Sequence, residues 1–117
     1  MRILIADHQT KVRFALRVAL AQQPGCETIG EASNAEDLIA QVRTACPDLA
    51  IVDWELPDLP ISDLIPGLRD ICHSLRVIIL SGRAETRSRA LAAGANAFVC
   101  MCNAPDELSS ALESCWG

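Results

Sequence analysis

The sequence predicts an α/β fold in which a parallel five-stranded sheet is covered by helices on both faces. Three observations predict it. Four short apolar runs are continuous instead of alternating, as strands buried on both faces are. The segments between them carry apolar residues at the helical period. Turn and cap residues fall at the junctions between the two kinds of segment.

The first strand is Ile3-Leu4-Ile5-Ala6. A helix over about residues 11–21 follows, with Val12, Ala15, Leu16, Ala19 and Leu20 on one face, and Pro24-Gly25 closes it. Thr28-Ile29-Gly30-Glu31 is a weaker strand whose Gly and Glu suit a sheet edge. Ser33-Asn34-Ala35-Glu36 reads as an S-x-x-E capping box opening a second helix, which turns Leu38, Ile39 and Val42 inward. Pro47 stops that helix ahead of the strand Leu49-Ala50-Ile51-Val52. The third helix is punctuated by Pro57, Pro60 and Pro66, and 61–71 is its best span. Val77-Ile78-Ile79-Leu80 is the fourth strand; a helix over about 84–93 follows and ends at Gly94, a natural C′ residue. Ala97-Phe98-Val99-Cys100 is the fifth strand. The last helix starts at Pro105, where Asp106 and Glu107 complement its dipole, and runs to about Cys115. Five β-α units in a three-layer sandwich, strand order 2-1-3-4-5, fit one domain over residues 1–117.

Composition bounds the function. A formal net charge of −5 argues against direct nucleic-acid binding by this chain, which needs a basic face. No apolar run approaches the roughly 20 residues of a membrane span. The apolar start is too short for a signal peptide, so a cytoplasmic protein is expected. Six cysteines, at 26, 46, 72, 100, 102 and 115, lie scattered in apolar context and read as reduced thiols. Cys100 and Cys102 share a strand face, yet no further ligands at metal-binding spacing accompany them. Lys11 is the only lysine among 10 basic residues.

Sites in such sheets form at the carboxyl ends of strands, near the point where strand order reverses. That rule selects Asp7, Asp53, Ser81 and Met101, and the order 2-1-3-4-5 brings the first three toward one shallow pocket. Two carboxylates together repel unless a cation or proton intervenes, and a hard divalent ion is the obvious neutraliser. Each residue also has a plainer reading. Asp7 or Asp53 alone would be a cap, and Ser81 a turn residue before Gly82. His8 reads chiefly as an exposed loop histidine, with metal ligation beside Asp7 or pH sensing as alternatives. His73 reads as a surface residue. Arg83, Arg87 and Arg89 form a basic group around the fourth helix, either a solvated face or an interface.

The ordered set Leu4-Ile5-Ala6-Asp7, Ile29-Gly30-Glu31-Ala32, Pro47-Asp48-Leu49-Ala50-Ile51-Val52-Asp53, Leu56-Pro57, Leu80-Ser81-Gly82 and Gly94-Ala95 through Phe98 to Pro105-Asp106-Glu107-Leu108 resembles a response-regulator receiver domain, nearest the NarL/LuxR type. The resemblance covers the whole chain. It implies the flavodoxin-like fold and a place in two-component phosphorelay signalling, with no enzymatic turnover of its own. Asp53 would accept a phosphoryl group from a histidine kinase or another donor. Asp7, Asp53 and the Glu55 backbone carbonyl would hold Mg²⁺, Ser81 would hydrogen-bond the phosphoryl group, and Phe98 would be the aromatic switch. The surface of the fourth helix, fifth strand and fifth helix would carry output or dimer contacts. A DNA-binding output domain or partner protein would read the state and regulate transcription.

Departures from the family pattern weaken that chemistry. His8 stands where a second acid is usual, and imidazole is a poor Mg²⁺ ligand. Met101 stands at the usual lysine and reads as an apolar plug filling the space of the lysine stem. Ile61 replaces a usual glycine. Mg²⁺ binding is therefore expected to be weak or absent, and the domain atypical. The alternative is a phosphorylation-independent interaction or dimerisation module on the same fold. A small-molecule enzyme is disfavoured, since no phosphate-cradling glycine loop is present.

Overall fold

The computed structural model describes residues 1–101 and 106–116. Its strands are β1 (Arg2–Ala6), β2 (Glu27–Ala32), β3 (Leu49–Asp53), β4 (Arg76–Ser81) and β5 (Ala97–Cys100). Its helices are α1 (Thr10–Ala21), α2 (Ala35–Ala45), α3 (Ile61–Ile71), α4 (Arg87–Ala92) and α5 (Asp106–Trp116). All pairings are parallel, in the order β2-β1-β3-β4-β5. The flavodoxin-like arrangement is as expected. Among the described residues no helix is long and apolar enough to cross a membrane.

The continuous apolar runs are explained by two cores, one on each face. Alternate side chains of a strand point to opposite faces. Leu4, Ala6, Ala50, Val52, Val77 and Ile79 join Leu38, Val42, Leu64 and Leu68 of α2 and α3. Ile3, Ile5, Leu49, Ile51, Ile78 and Leu80 join Leu16, Leu20, Leu108 and Leu112 of α1 and α5. The edge strand β2 is only partly buried, which suits its Gly30 and Glu31.

α3 keeps the expected span although Pro66 lies inside it. An interior proline costs about 3 kcal/mol, but Ile61, Leu64, Ile65 and Leu68 are all buried by that helix and hold it. Ile61 is its first residue and packs in the core. Gly94 follows α4 at φ 109°, a conformation that favours glycine.

Three expectations need correction. The cap of α2 is Asn34, whose side chain accepts a hydrogen bond from the Asp37 N–H at 2.8 Å, and not Ser33. Both are good caps, and their adjacency leaves a one-residue ambiguity that the backbone resolves. Asn34→Ala is expected to cost about 1 kcal/mol in a urea titration, whereas Ser33→Ala should cost a few tenths at most. The fourth helix is shorter than expected. Residues Ala84–Thr86 form a 3₁₀ turn, with the Thr86 hydroxyl donating to the Arg83 carbonyl at 2.8 Å, before α4 begins. The start at Pro105 lies outside the described residues. Finally, the cysteines are not all reduced. Cys46 and Cys72, which cap the C-termini of α2 and α3, form a disulfide with Cα atoms 5.6 Å apart. Both helices run back along one face of the sheet, so their ends meet. Cys100 is also disulfide-bonded, Cys26 and Cys115 are free, and Cys102 lies outside the described residues.

Candidate functional site

β1 and β3 are neighbours with Ala6 opposite Val52. Asp7, the residue after β1, and Asp53, the last residue of β3, therefore stand beside each other at the carboxyl end of the sheet. Both are buried, at 4% and 7% exposure. Between them lies His8. Its Nδ1 is 2.5 Å from Asp53 Oδ2 and 3.8 Å from Asp7 Oδ1. His8 is an exposed loop residue, as expected, and its ring nitrogen reaches both carboxylates as well. The ring is over a third exposed, at 37%, with Nδ1 turned toward the carboxylates and its other edge open to solvent.

Backbone donors complete the carboxylates' shell. Asp7 Oδ1 accepts from the Gln9 N–H at 2.8 Å, and Asp53 Oδ1 accepts from the Glu55 N–H at 3.0 Å. The Gln9 amide lies 3.3 Å from His8 Nε2 and steadies the ring. Arg13 Nη1 donates to the Asp7 carbonyl at 2.7 Å while its Nε pairs with Glu31. Burial, reinforced by the charge of Asp53, raises the Asp7 pKa above the ordinary carboxylate range; the Gln9 N–H opposes it. The hydrogen bond to Asp53 raises that of His8.

These shifts have a pH consequence. A histidine that binds its proton more tightly folded than unfolded adds stability that is complete below about pH 6.5 and is lost as pH rises through the raised value. Asp7 acts with the same sign in the acid range. Its contribution is complete below about pH 3.9 and fades as pH rises through its own raised value. In chelating buffer the stability difference between wild type and His8→Gln is expected to shrink from pH 6 to 9 in urea titrations. A constant difference would mean that Asp53 does not hold the His8 proton.

A family profile described as the response regulator receiver domain matches residues 3–113. The chain belongs to that family. The virulence-factor positive transcription regulator BvgA of Bordetella pertussis is 36% identical over 101 residues, which are 85% of this chain and 48% of that protein. A protein-glutamate methylesterase/protein-glutamine glutaminase of Cereibacter sphaeroides is 36% identical over 100 residues, 80% of this chain and 27% of the relative. The chain spans about half the length of the transcription regulators it matches, and less of the methylesterase. Among solved structures, RcsB from Salmonella enterica serovar Typhimurium, bound to promoter rprA with the phosphomimetic BeF₃⁻, superposes with a TM-score of 0.89 at 25% identity, covering 100% of this chain and 99% of that one. The signal receiver domain of NarL from Mycobacterium tuberculosis has a TM-score of 0.86 at 21% identity over 99% and 96% of the two chains, and shares the fold.

Within this receiver domain the expected site residues divide. Asp7, His8 and Asp53 come together, their ligand atoms within 4.8 Å of one another. Ser81 ends β4 one place beyond Leu80, the partner of Asp53 in the sheet, but its hydroxyl is held in its own loop: it accepts from the Arg83 N–H at 3.1 Å and donates to the Arg83 carbonyl at 3.3 Å. Glu55 engages Asp53 through its N–H. Phe98 is buried, with the Arg87 guanidinium 4.8 Å above its ring centroid, and Arg87 also pairs with Glu107 of α5 at 2.7 Å. Arg83 and Arg89 are exposed, and Arg89 lines a groove with Trp54. His73 is exposed, as expected.

Met101 is the residue at the expected lysine position. It is 38% exposed on the rim of a groove with Leu16, Leu80, Val99 and Leu108, between α1 and α5. Sequence reasoning missed Gln9 and Arg13, which brace Asp7 and His8. The only signal for Arg13 was its i,i+4 spacing to Arg17; both pair with Glu31 of the edge strand.

Receiver domains generally bind Mg²⁺. Here the donor set is two carboxylates and an imidazole nitrogen. Mg²⁺ favours oxygen ligands in octahedral geometry; two of these donors are carboxylate oxygens and the third is a nitrogen.

Proposed function

We propose that the chain is an atypical receiver domain in phosphorelay signalling, with Asp53 as phosphoacceptor and with weakened metal and phosphoryl chemistry. The supporting observation is the His8 Nδ1 contact on Asp53 Oδ2 at 2.5 Å. The nucleophilic oxygen must release that hydrogen bond before it can attack phosphorus, while the other oxygen stays on the Glu55 N–H. In the transfer, a carboxylate oxygen of Asp53 bonds to phosphorus as the bond from phosphorus to the donor breaks. Ser81 must give up Arg83 to reach the new group, and Phe98 must leave the guanidinium of Arg87 to act as a switch.

The energetics agree. A unit charge at about 4 Å is worth up to about 4 kcal/mol near a protein surface. Turning a switch from 1:99 to 99:1 takes about 5.5 kcal/mol. With methionine in the lysine's place, much of that drive is gone. A histidine kinase or another phosphodonor is the upstream partner in this reading. An output domain or partner protein regulating transcription lies downstream, and Arg83, Arg87 and Arg89 border the dimer or output surface.

Trp54, which follows Asp53 directly, reports on the site. In a Trp116→Phe background, Mg²⁺ followed by acetyl phosphate or beryllofluoride is expected to give a small, slow fluorescence change, with a phosphoryl adduct on Asp53 by mass and none in Asp53→Asn. If no adduct forms at any donor concentration while a dimer or partner complex persists, the domain is a phosphorylation-independent interaction module. The exposed Phe14 and Val18 of α1 would suit such contacts.

A further inference from the structure

We propose that the hollow is a site for a borderline divalent ion, of the class of Zn²⁺ and Co²⁺, held by Asp7, His8 Nδ1 and Asp53, in place of Mg²⁺. The proposal rests on the receiver reading only for the expectation that a divalent ion belongs at this strand end; it does not require Asp53 to be phosphorylated.

The donors are already gathered. One atom from each of the three residues lies within 4.8 Å of the others. Ligands about 2.0–2.2 Å from a tetrahedral ion stand roughly 3.4 Å apart. The separations from His8 Nδ1, 2.5 Å to Asp53 and 3.8 Å to Asp7, lie on either side of that figure. A small turn of the ring makes room for the ion, and the Nδ1 proton leaves as it binds. Two carboxylates balance the charge of a divalent ion, and the nitrogen sets the preference, since imidazole suits Zn²⁺, Co²⁺ and Ni²⁺ while Mg²⁺ favours oxygen.

The surroundings suit a metal ligand. A ligating histidine donates its second ring N–H to an outer acceptor; the Gln9 amide nitrogen lies 3.3 Å from His8 Nε2, and a half-turn of that amide puts its carbonyl oxygen there to accept. Each carboxylate keeps one oxygen on a backbone N–H, from Gln9 and Glu55, which fixes its direction. The exposed edge of His8 leaves an entry path and a fourth position for water.

The test is a Co²⁺ titration of chelator-stripped protein, read by visible absorption. One Co²⁺ per chain is expected, with the intense bands of a four- or five-coordinate ion. Zn²⁺ should displace it, and a thousandfold excess of Mg²⁺ should not. His8→Ala and His8→Gln should each weaken binding by at least about tenfold, and Gln9→Ala by about tenfold. Absence of the bands, competition by Mg²⁺ at equal affinity, or undiminished binding in both His8 variants would overturn the proposal. A cobalt–thiolate charge-transfer band would do so too, by placing the ion at Cys26 or Cys115. Failure of the receiver reading looks different: Asp53 then never carries phosphate at any donor concentration, while the Co²⁺ spectrum stands.

Discussion

His8→Asp combined with Met101→Lys is expected to give a domain that binds Mg²⁺ and accepts phosphate on Asp53 at least about a hundredfold faster than wild type. The first change exchanges the nitrogen donor for a carboxylate and removes the hydrogen bond from Asp53 Oδ2. The second supplies an ammonium. A hundredfold gain is about 2.7 kcal/mol, within the roughly 4 kcal/mol that one charge at about 4 Å provides. The two changes should not contribute equally. Met101 lies toward α1 and α5 against Leu16 and Val99, so a lysine there must turn its stem out of that groove, whereas position 8 already faces the carboxylates. His8→Asp alone should therefore restore most of the Mg²⁺-dependent Trp54 quenching, and Met101→Lys alone little. Should the double variant stay inert by fluorescence and mass, the assignment of positions 8 and 101 as the missing acid and lysine falls.

Reduction of Cys46–Cys72 is expected to cost about 3 kcal/mol. The two cysteines are 26 residues apart in sequence, and a cross-link closing a loop of that size removes conformational freedom mainly from the unfolded chain. For a domain this small the loss corresponds to roughly 10 °C in melting temperature. Cys46 is exposed and Cys72 buried, so reductant reaches the bond from the Cys46 side. Cys46→Ser is the cleaner probe, because serine at position 72 would bury a hydroxyl. Under reducing conditions wild type and Cys46→Ser should melt together; without reductant wild type should melt higher. Equal melting in both conditions would mean that the bond does not persist in solution.

Much of this architecture was legible in the residues. Strands such as Leu49-Ala50-Ile51-Val52 announce burial on both faces because no polar residue interrupts them, and the two cores use each face in turn. The pair Asp7 and Asp53 followed from strand ends and strand order. What stayed hidden was proximity that no pattern encodes. Cys46 and Cys72 look like isolated thiols until the crossovers bring two helix ends together. The reach of the loop residue His8 to Asp53 was hidden because a ring's direction depends on its backbone and on Gln9, neither of which leaves a periodic trace. The exposure of Met101 on the rim of an apolar groove was likewise not legible, since it depends on how α1 and α5 meet beside β5.

The stack of Arg87 on Phe98, with Glu107 at its far end, ties β5 to α5 through one side chain. An aromatic ring that rotates outward must first dislodge that guanidinium, and a ligand that neutralises Glu107 loosens the ring from the opposite direction. Through that one guanidinium a buried ring of the sheet and a carboxylate on the outer helix share a partner, so Arg87→Ala removes both contacts at once.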